Sequence, residues 1–236
     1  MYTKSARFYD AIYAFKDYAA ATTALRGVIR ARCPHARTLL DVACGTGKHL
    51  ELLRDEFEVA GLDVNAEMLA AARARCPGVP FHEASMVDFD LGRRFDVVTL
   101  LFSSIAYVRT VDAMRATVAT LARHLAPGGL IVLEPFFSPE RLWTGTITAN
   151  FVDEPDLKIV WMYNTIREDR LAILDINYLV GTPERVDGFT ERHELGLFTD
   201  DEYAAAFADA GLVVTRDEQG LFGRGMYLAT TPEFAS

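Results

Sequence analysis

The pattern of apolar and polar positions divides the chain into two zones. In the first, short continuous apolar runs alternate with amphipathic stretches. Residues 38–43, 58–63, 79–82, 95–102 and 130–134 read as strands, and 19–32, 48–55, 65–75 and 111–124 as helices. Strands that are apolar throughout are buried on both faces, and a helix after each predicts a parallel sheet. Right-handed crossovers then make the sheet doubly wound, an α/β architecture. The second zone lacks this alternation. Residues 157–166 and 171–180 are strand-like runs flanking the polar tetrad Arg167-Glu168-Asp169-Arg170, and a third run spans 189–198. Short polar turns between strands predict an antiparallel meander, a small β insertion over 144–198 after the fifth strand. A helix over 200–210 and strands over 212–217 and 224–230 complete the sheet. Residues 1–18 are rich in aromatics (Tyr2, Phe8, Tyr9, Tyr13, Phe15, Tyr18), with Phe8, Ile12 and Phe15 at helical spacing, and 1–32 read as an amino-terminal helical lid. The whole of 1–236 forms one domain.

Composition changes this picture little. The 236 residues are 50% hydrophobic and 24% charged, which excludes a disordered or fibrous chain. No apolar run approaches the ~18–20 residues of a membrane span. The start, Met1-Tyr2-Thr3-Lys4, leads into no apolar signal core, so a cytoplasmic protein with no membrane association is expected. A net charge of -9 argues against nucleic-acid partners. Three widely spaced cysteines, Cys33, Cys44 and Cys76, with no CxxC pair, predict neither a disulfide framework nor a metal site.

The chemistry concentrates in Asp41-Val42-Ala43-Cys44-Gly45-Thr46-Gly47, where a strand ends in a glycine turn that opens a helix. Glycine permits positive φ and lets a ligand approach the backbone, and the helix amino end offers unpaired N–H groups. An ordinary tight turn would explain the glycines alone. Context favours a ligand. Asp63 ends the second strand 18 residues after Gly45, where it can accept from a ribose diol. Ser85-Met86-Val87-Asp88 follows the third strand and Phe102-Ser103-Ser104 the fourth, so one crevice receives four strand ends. Gly47 is followed by Lys48-His49-Leu50 rather than the spacing of a pyrophosphate-binding turn, so a dinucleotide fits poorly.

The stretch 41–47 resembles motif I of class I S-adenosylmethionine-dependent methyltransferases. The resemblance continues through Gly61-Leu62-Asp63, Ala66-Glu67-Met68-Leu69, Met86-Val87-Asp88-Phe89 and Leu125-Ala126-Pro127-Gly128-Gly129. Within that superfamily, several pieces resemble the nucleotide-linked (TDP) aminosugar N-methyltransferases of macrolide deoxysugar biosynthesis. These are Lys16-Asp17-Tyr18, 39–50, 102–107, Glu134-Pro135-Phe136-Phe137 and Gly223-Arg224-Gly225-Met226-Tyr227.

The resemblance implies a mostly parallel, seven-stranded Rossmann-like sheet with S-adenosyl-L-methionine as cofactor. Asp41, Ala43, Gly45 and Gly47 would wrap its methionine part, and Asp63 would hold the ribose. Val64 and Met68 would flank the adenine, with Met86 and Ser85 at its edge. Phe102 and Ser103 would lie near the sulfonium, and Lys16 and Tyr18 would close over it. The family commonly carries Gly-Asp where this chain has Ala84-Ser85, so the adenine amino group would meet an uncharged hydroxyl.

Methyl transfer from a sulfonium is an in-line displacement that mainly needs proximity and alignment, worth up to ~7–11 kcal/mol of barrier. A base would assist an amine acceptor, unless solvent takes the proton first. Tyr107, Tyr13, Glu134 and His193 are the candidates, each competing with a plain packing or structural role. Tyr9, Phe136 and Phe137 are expected along the acceptor. Arg224, between two glycines, is placed to bind a diphosphate. The expected activity is methyl transfer to the amine of a nucleotide-linked deoxyaminosugar, with the insertion over the acceptor. The alternatives are another small-molecule amine or hydroxyl, or a nucleoside-binding module without catalysis. The expected partner is a small molecule such as a TDP-sugar, and the expected assembly a homodimer.

Overall fold

The computed structural model describes residues 2–232; Met1 and residues 233–236 lie outside it. Its strands are β1 (Thr38–Val42), β2 (Glu58–Asp63), β3 (Phe81–Glu83), β4 (Phe95–Leu100), β5 (Leu125–Leu133), β6 (Ile147–Glu154), β7 (Leu157–Glu168), β8 (Leu171–Gly181), β9 (Val186–Gly196), β10 (Val213–Asp217) and β11 (Met226–Thr230). Seven of them form one sheet in the order β10-β11-β5-β4-β1-β2-β3. The pairs among β1–β5 are parallel, while β11 is antiparallel to both β5 and β10. The strand order reverses between β1 and β4, the switch point where open α/β sheets bind ligands.

Successive strand residues face opposite sides, and the two faces carry separate cores. Leu40 and Val42 pack with α5 (Val111–Arg123) and α6 (Asp200–Asp209) through Met114, Val118, Leu121 and Phe207. Leu39 packs on the other face with α2 (Tyr18–Arg32), α3 (Lys48–Leu53) and α4 (Ala66–Arg75) through Leu25, Ile29, Leu50 and Leu69. Helix starts are set by caps: Asp17 accepts from Ala20 N, Asn65 from Glu67 and Met68 N, and Thr110 from Ala113 N. Thr199 and Glu202 form a reciprocal capping box on α6.

Strands β6–β9 form a second, antiparallel sheet in chain order. Its inner face closes a third core with Ile12 and Ala106, through Ile159, Trp161, Leu174, Ile176 and Tyr178. Two elements differ from the reading of the pattern. Strand β6 forms no apolar run, because exposed Ile147, Ala149 and Phe151 alternate with half-buried Thr148 and Asn150. Strand β5 starts at Leu125, not 130: Leu125 pairs with Phe95, and Leu130 resumes against Val97 after a register shift. Pro127-Gly128-Gly129 is therefore a bulge inside the strand, where a Cβ on Gly129 would lie 2.7 Å from Asp96 O.

The segment ahead of α2 contains a 3₁₀ turn over Ala6–Phe8 and the four-residue α1 (Tyr9–Ile12). It bridges the two sheets by side-chain anchors. Glu191 of β9 accepts from Thr3 N at 2.9 Å, Thr3 Oγ1 at 2.7 Å and Ser5 N at 3.0 Å, and from the Ser5 hydroxyl. Asn65 Nδ2 donates to Tyr2 O at 2.8 Å. Asp10 accepts from Thr46 Oγ1 at 2.7 Å and pairs with Arg75, with Lys48 Nζ at 3.9 Å.

Candidate active site

The glycine turn after β1 is built on left-handed backbone. Ala43, Gly45 and Gly47 have φ of +57°, +56° and +76°. A Cβ on Gly45 would meet nothing within 4 Å, because this residue faces open cavity, whereas one on Gly47 would sit 3.2 Å from Ala72 Cβ. Gly47 thus serves helix packing, and Gly45 serves approach to the backbone. The Asp63 carboxylate spans the turn, accepting from Gly45 N at 2.9 Å and Asn65 N at 2.8 Å. Burial raises its pKa, against the lowering effect of these N–H groups.

A cavity opens here, lined by Ala43, Gly45, Asp63, Val64, Met68 and Met86, with Ser85 at the far side. Its wall continues into Tyr2, Tyr9, Ser104 and Tyr107. The same four residues line a second cavity, roofed by the inner face of the antiparallel sheet through Trp161, Tyr163, Tyr178 and His193. The two cavities therefore share one wall.

Several candidates sit elsewhere than the donor cavity. Lys16, Phe102 and Ser103 line the second cavity. The Lys16 ammonium lies 3.2 Å from the Phe102 ring centroid and 4.5 Å from that of Phe222. Burial, then the charge of Arg224, lowers its pKa to about 7. Tyr18 packs on His49, with ring centroids 5.2 Å apart, and stacks on Phe102 at 6.5 Å. Asp41 is buried beneath the turn, where Thr99 Oγ1 donates to it at 2.7 Å; burial raises its pKa to about 7.

The end of β4 is strained. Phe102 and Ser103 are consecutive non-glycine residues with φ of +60°, each costing on the order of 1–2 kcal/mol. Glu134 holds this turn, since its Oε2 accepts from Phe102 N at 2.8 Å. Glu134 thus lies behind Phe102, buried, with Oε1 unpartnered among the described residues. Ser103 Oγ donates to Pro135 O at 2.7 Å.

Tyr107 and His193 share a hydrogen bond of 2.6 Å between the phenol oxygen and Nδ1. Burial drops the His193 pKa to about 4 and raises those of Tyr107 and Tyr13. Burial therefore favours the uncharged form of all three at neutral pH. Tyr13 shares a 2.7 Å hydrogen bond with Tyr2, whose position in both cavities carries no motif and was missed. Tyr9 lines both cavities as well.

Arg224 lies between Gly223 and Gly225, with φ of +77° and +80°. Its Nη1 donates to Ser103 Oγ at 3.1 Å, and its guanidinium lies 5.8 Å from the Phe136 ring and 5.0 Å from that of Phe137. Among the described residues it makes no ion pair with a carboxylate. Phe136 lines the second cavity, but Phe137 does not; it faces a neighbouring cavity on the far side of Arg224.

A glycine turn at the switch point, an acid ending β2, and a cavity that shares a wall with a second, roofed one are the features of an α/β fold that binds a ligand at its strand ends. A family model described as a methyltransferase domain matches residues 39–129. The dTDP-4-amino-2,3,4,6-tetradeoxy-D-glucose N,N-dimethyltransferase of Saccharopolyspora spinosa is 41% identical over 226 residues, 94% of this chain and 91% of its own. The dTDP-3-amino-3,4,6-trideoxy-alpha-D-glucopyranose N,N-dimethyltransferase of Streptomyces venezuelae is 40% identical over 215 residues, 90% of this chain and 91% of its own. The crystal structure of Streptomyces venezuelae DesVI superposes with a TM-score of 0.93 at 38% identity, covering 98% of this chain and 100% of that one. The chain belongs to the S-adenosylmethionine-dependent methyltransferase family of these proteins. The structure of S-adenosylmethionine-bound CalS10, an amino pentose methyltransferase from Micromonospora echinaspora, superposes with a TM-score of 0.88 at 39% identity, covering 98% of each chain.

Proposed function

We propose that the protein methylates the amine of a nucleoside-diphosphate-linked deoxyaminosugar. The observation that carries this reading is the shared wall of Tyr2, Tyr9, Ser104 and Tyr107 between the two cavities, with Arg224 at the rim of the second. An acceptor amine at that wall leaves its anionic tail pointing to a guanidinium that, among the described residues, makes no direct ion pair with a carboxylate. The names of the relatives above support a dTDP-linked sugar.

The residues present fit the cofactor. Gly45 leaves open space where a side chain would intrude. Asp63 keeps acceptor lone pairs beyond the two it gives to Gly45 and Asn65. Val64, Met68, Met86 and Val87 form an apolar slot for a flat base. S-adenosylmethionine, when bound, supplies a methyl group already activated by positive sulfur. The protein's contribution is alignment and exclusion of water. The antiparallel sheet roofs the acceptor, and Tyr107 is fixed by His193. Burial holds Tyr13, Tyr107 and His193 uncharged at pH 7, and the amine attacks in its uncharged form, having lost its proton first.

The same reading extends to assembly. The outer face of the antiparallel sheet exposes Phe151 and Leu179 on either side of half-buried Val160, in register, with exposed Met162 and Ile147 beside them. This apolar stripe supports a homodimer.

The experiment is a calorimetric titration with S-adenosylhomocysteine, followed by turnover on a panel of dTDP-aminosugars, simple amines and phenols. Asp63→Ala is expected to weaken S-adenosylhomocysteine binding at least tenfold, consistent with the ~1.5–3 kcal/mol of hydrogen bonds to a charged group. Turnover of simple amines in preference to every nucleotide-linked sugar would refute the substrate assignment.

A further inference from the structure

Strand β6 reverses the usual alternation of an antiparallel sheet, in which apolar side chains point to the core and polar ones to solvent. The reversal is confined to part of the strand. Its inward positions are Thr148, Asn150 and Val152, and its outward positions include exposed Ile147 and Phe151. Val152 is apolar and buried, pairs with buried Ile159 of β7, and neither lines the acceptor cavity. Thr148 and Asn150 both line that cavity. Polar side chains thus stand at the inward positions that border the cavity, and an apolar one at the inward position that does not. Across the strand pair, Thr148 lies in register with Tyr163 and Asn150 with Trp161. These two rings also line the cavity and stack nearly parallel, with centroids 5.9 Å apart and planes 7° apart. Asn150 Oδ1 accepts from Phe151 N at 2.8 Å. Among the described residues, Asn150 Nδ2 and the Thr148 hydroxyl have no hydrogen-bond partner.

We propose that this patch of β6 and β7 reads the substituents of the acceptor's ring, so that the chain selects a deoxyaminosugar that keeps a ring hydroxyl. The inference rests on the acceptor being an aminosugar. A pyranose has C–H-rich faces and a polar edge. The aromatic pair offers a flat apolar surface to a face, and Asn150 and Thr148 stand opposite those rings to meet the edge. An amide Nδ2 donates to a hydroxyl oxygen, and a threonine hydroxyl accepts the hydroxyl proton, so one hydroxyl satisfies both side chains. A sugar entering the cavity displaces water from them. With a hydroxyl in place the lost hydrogen bonds are replaced. With a bare CH₂ they are not, and an unsatisfied polar group costs more than a made bond returns. A site built to hydrogen-bond a substrate hydroxyl therefore rejects the analogue that lacks it.

The test compares dTDP-3-amino- and dTDP-4-amino-sugars in matched pairs that differ by a single ring hydroxyl. In the unmodified protein, removing the hydroxyl that the patch holds is expected to lower kcat/KM roughly tenfold, mostly through KM. Asn150→Leu and Thr148→Val are each expected to bring that pair to within about twofold. They should do so by lowering kcat/KM for the hydroxylated member and sparing its deoxy partner, an outcome that a general loss of structure cannot produce. Thr148→Ser retains the hydroxyl and should retain the preference. Calorimetry with S-adenosylhomocysteine checks that each variant is folded, because none of these side chains borders the donor cavity. Equal kcat/KM within every pair for the unmodified protein overturns the patch and leaves the aminosugar reading standing. So does an equal fall for both members of a pair in the Asn150 and Thr148 variants. Methylation of simple amines with no turnover of any dTDP-aminosugar overturns both.

Discussion

Asp41 is a carboxyl group sealed under the glycine turn with one hydroxyl donor, Thr99 Oγ1. Burial pushes its pKa up to about 7, from the ordinary aspartate value of 3.8. The folded state therefore holds this proton more tightly than the unfolded chain. Stability from this group is fully present below about pH 4 and is lost as pH rises through about 7, at ~1.4 kcal/mol per unit of difference. Asp41→Asn keeps an acceptor for Thr99 and removes the titration. Thermal melts between pH 4 and 8 should show a flatter dependence in the variant, with its largest relative gain at pH 8; parallel curves would show that Asp41 is ionised throughout. Context made Asp63 and Gly45 legible as cavity residues, because an acid ending the second strand 18 residues after a glycine turn brings both to one crevice, whereas Asp41 lies beneath the turn. Tyr2 and Glu191 were not legible as site or anchor residues. Their meaning comes from which element they meet, and no local spacing encodes that.

At the scale of elements, the amino-terminal segment behaves as a strap tied at both ends. Glu191 fixes Thr3 and Ser5 to the antiparallel sheet, and Asp10 fixes the segment to Thr46 and Arg75 of the Rossmann-like half. Asp10→Ala removes the second tie and leaves the core untouched. Amides of residues 6–14 are expected to exchange hydrogen roughly tenfold faster, with protection in β1 and β4 unchanged; unaltered exchange in 6–14 would mean that aromatic packing, not Asp10, holds the strap. The main strands and helices were readable because apolar runs and caps are local signals. The strand β6 and the early start of β5 were not. One alternates exposed apolar with half-buried polar side chains, and the other hides a bulge in Pro127-Gly128-Gly129.

For the whole molecule, the pattern of strands and helices identified the sheet and its switch point, because chain order constrains topology so tightly. The same pattern set the insertion over the carboxyl ends of the parallel strands, but it could not show that the outer face of that insertion would stay apolar. That outer face makes the assembly testable. Leu179→Glu, on an exposed position in register with Val160, should convert a dimer to a monomer in sedimentation equilibrium without changing the circular dichroism. A wild type that sediments as a monomer at all concentrations would remove the dimer from the account. The wall common to both cavities ties their accessibility together. Tyr2 and Tyr9 belong to the strap, so displacing that segment removes a shared side of both chambers at once, and whatever empties one by that route exposes the contents of the other.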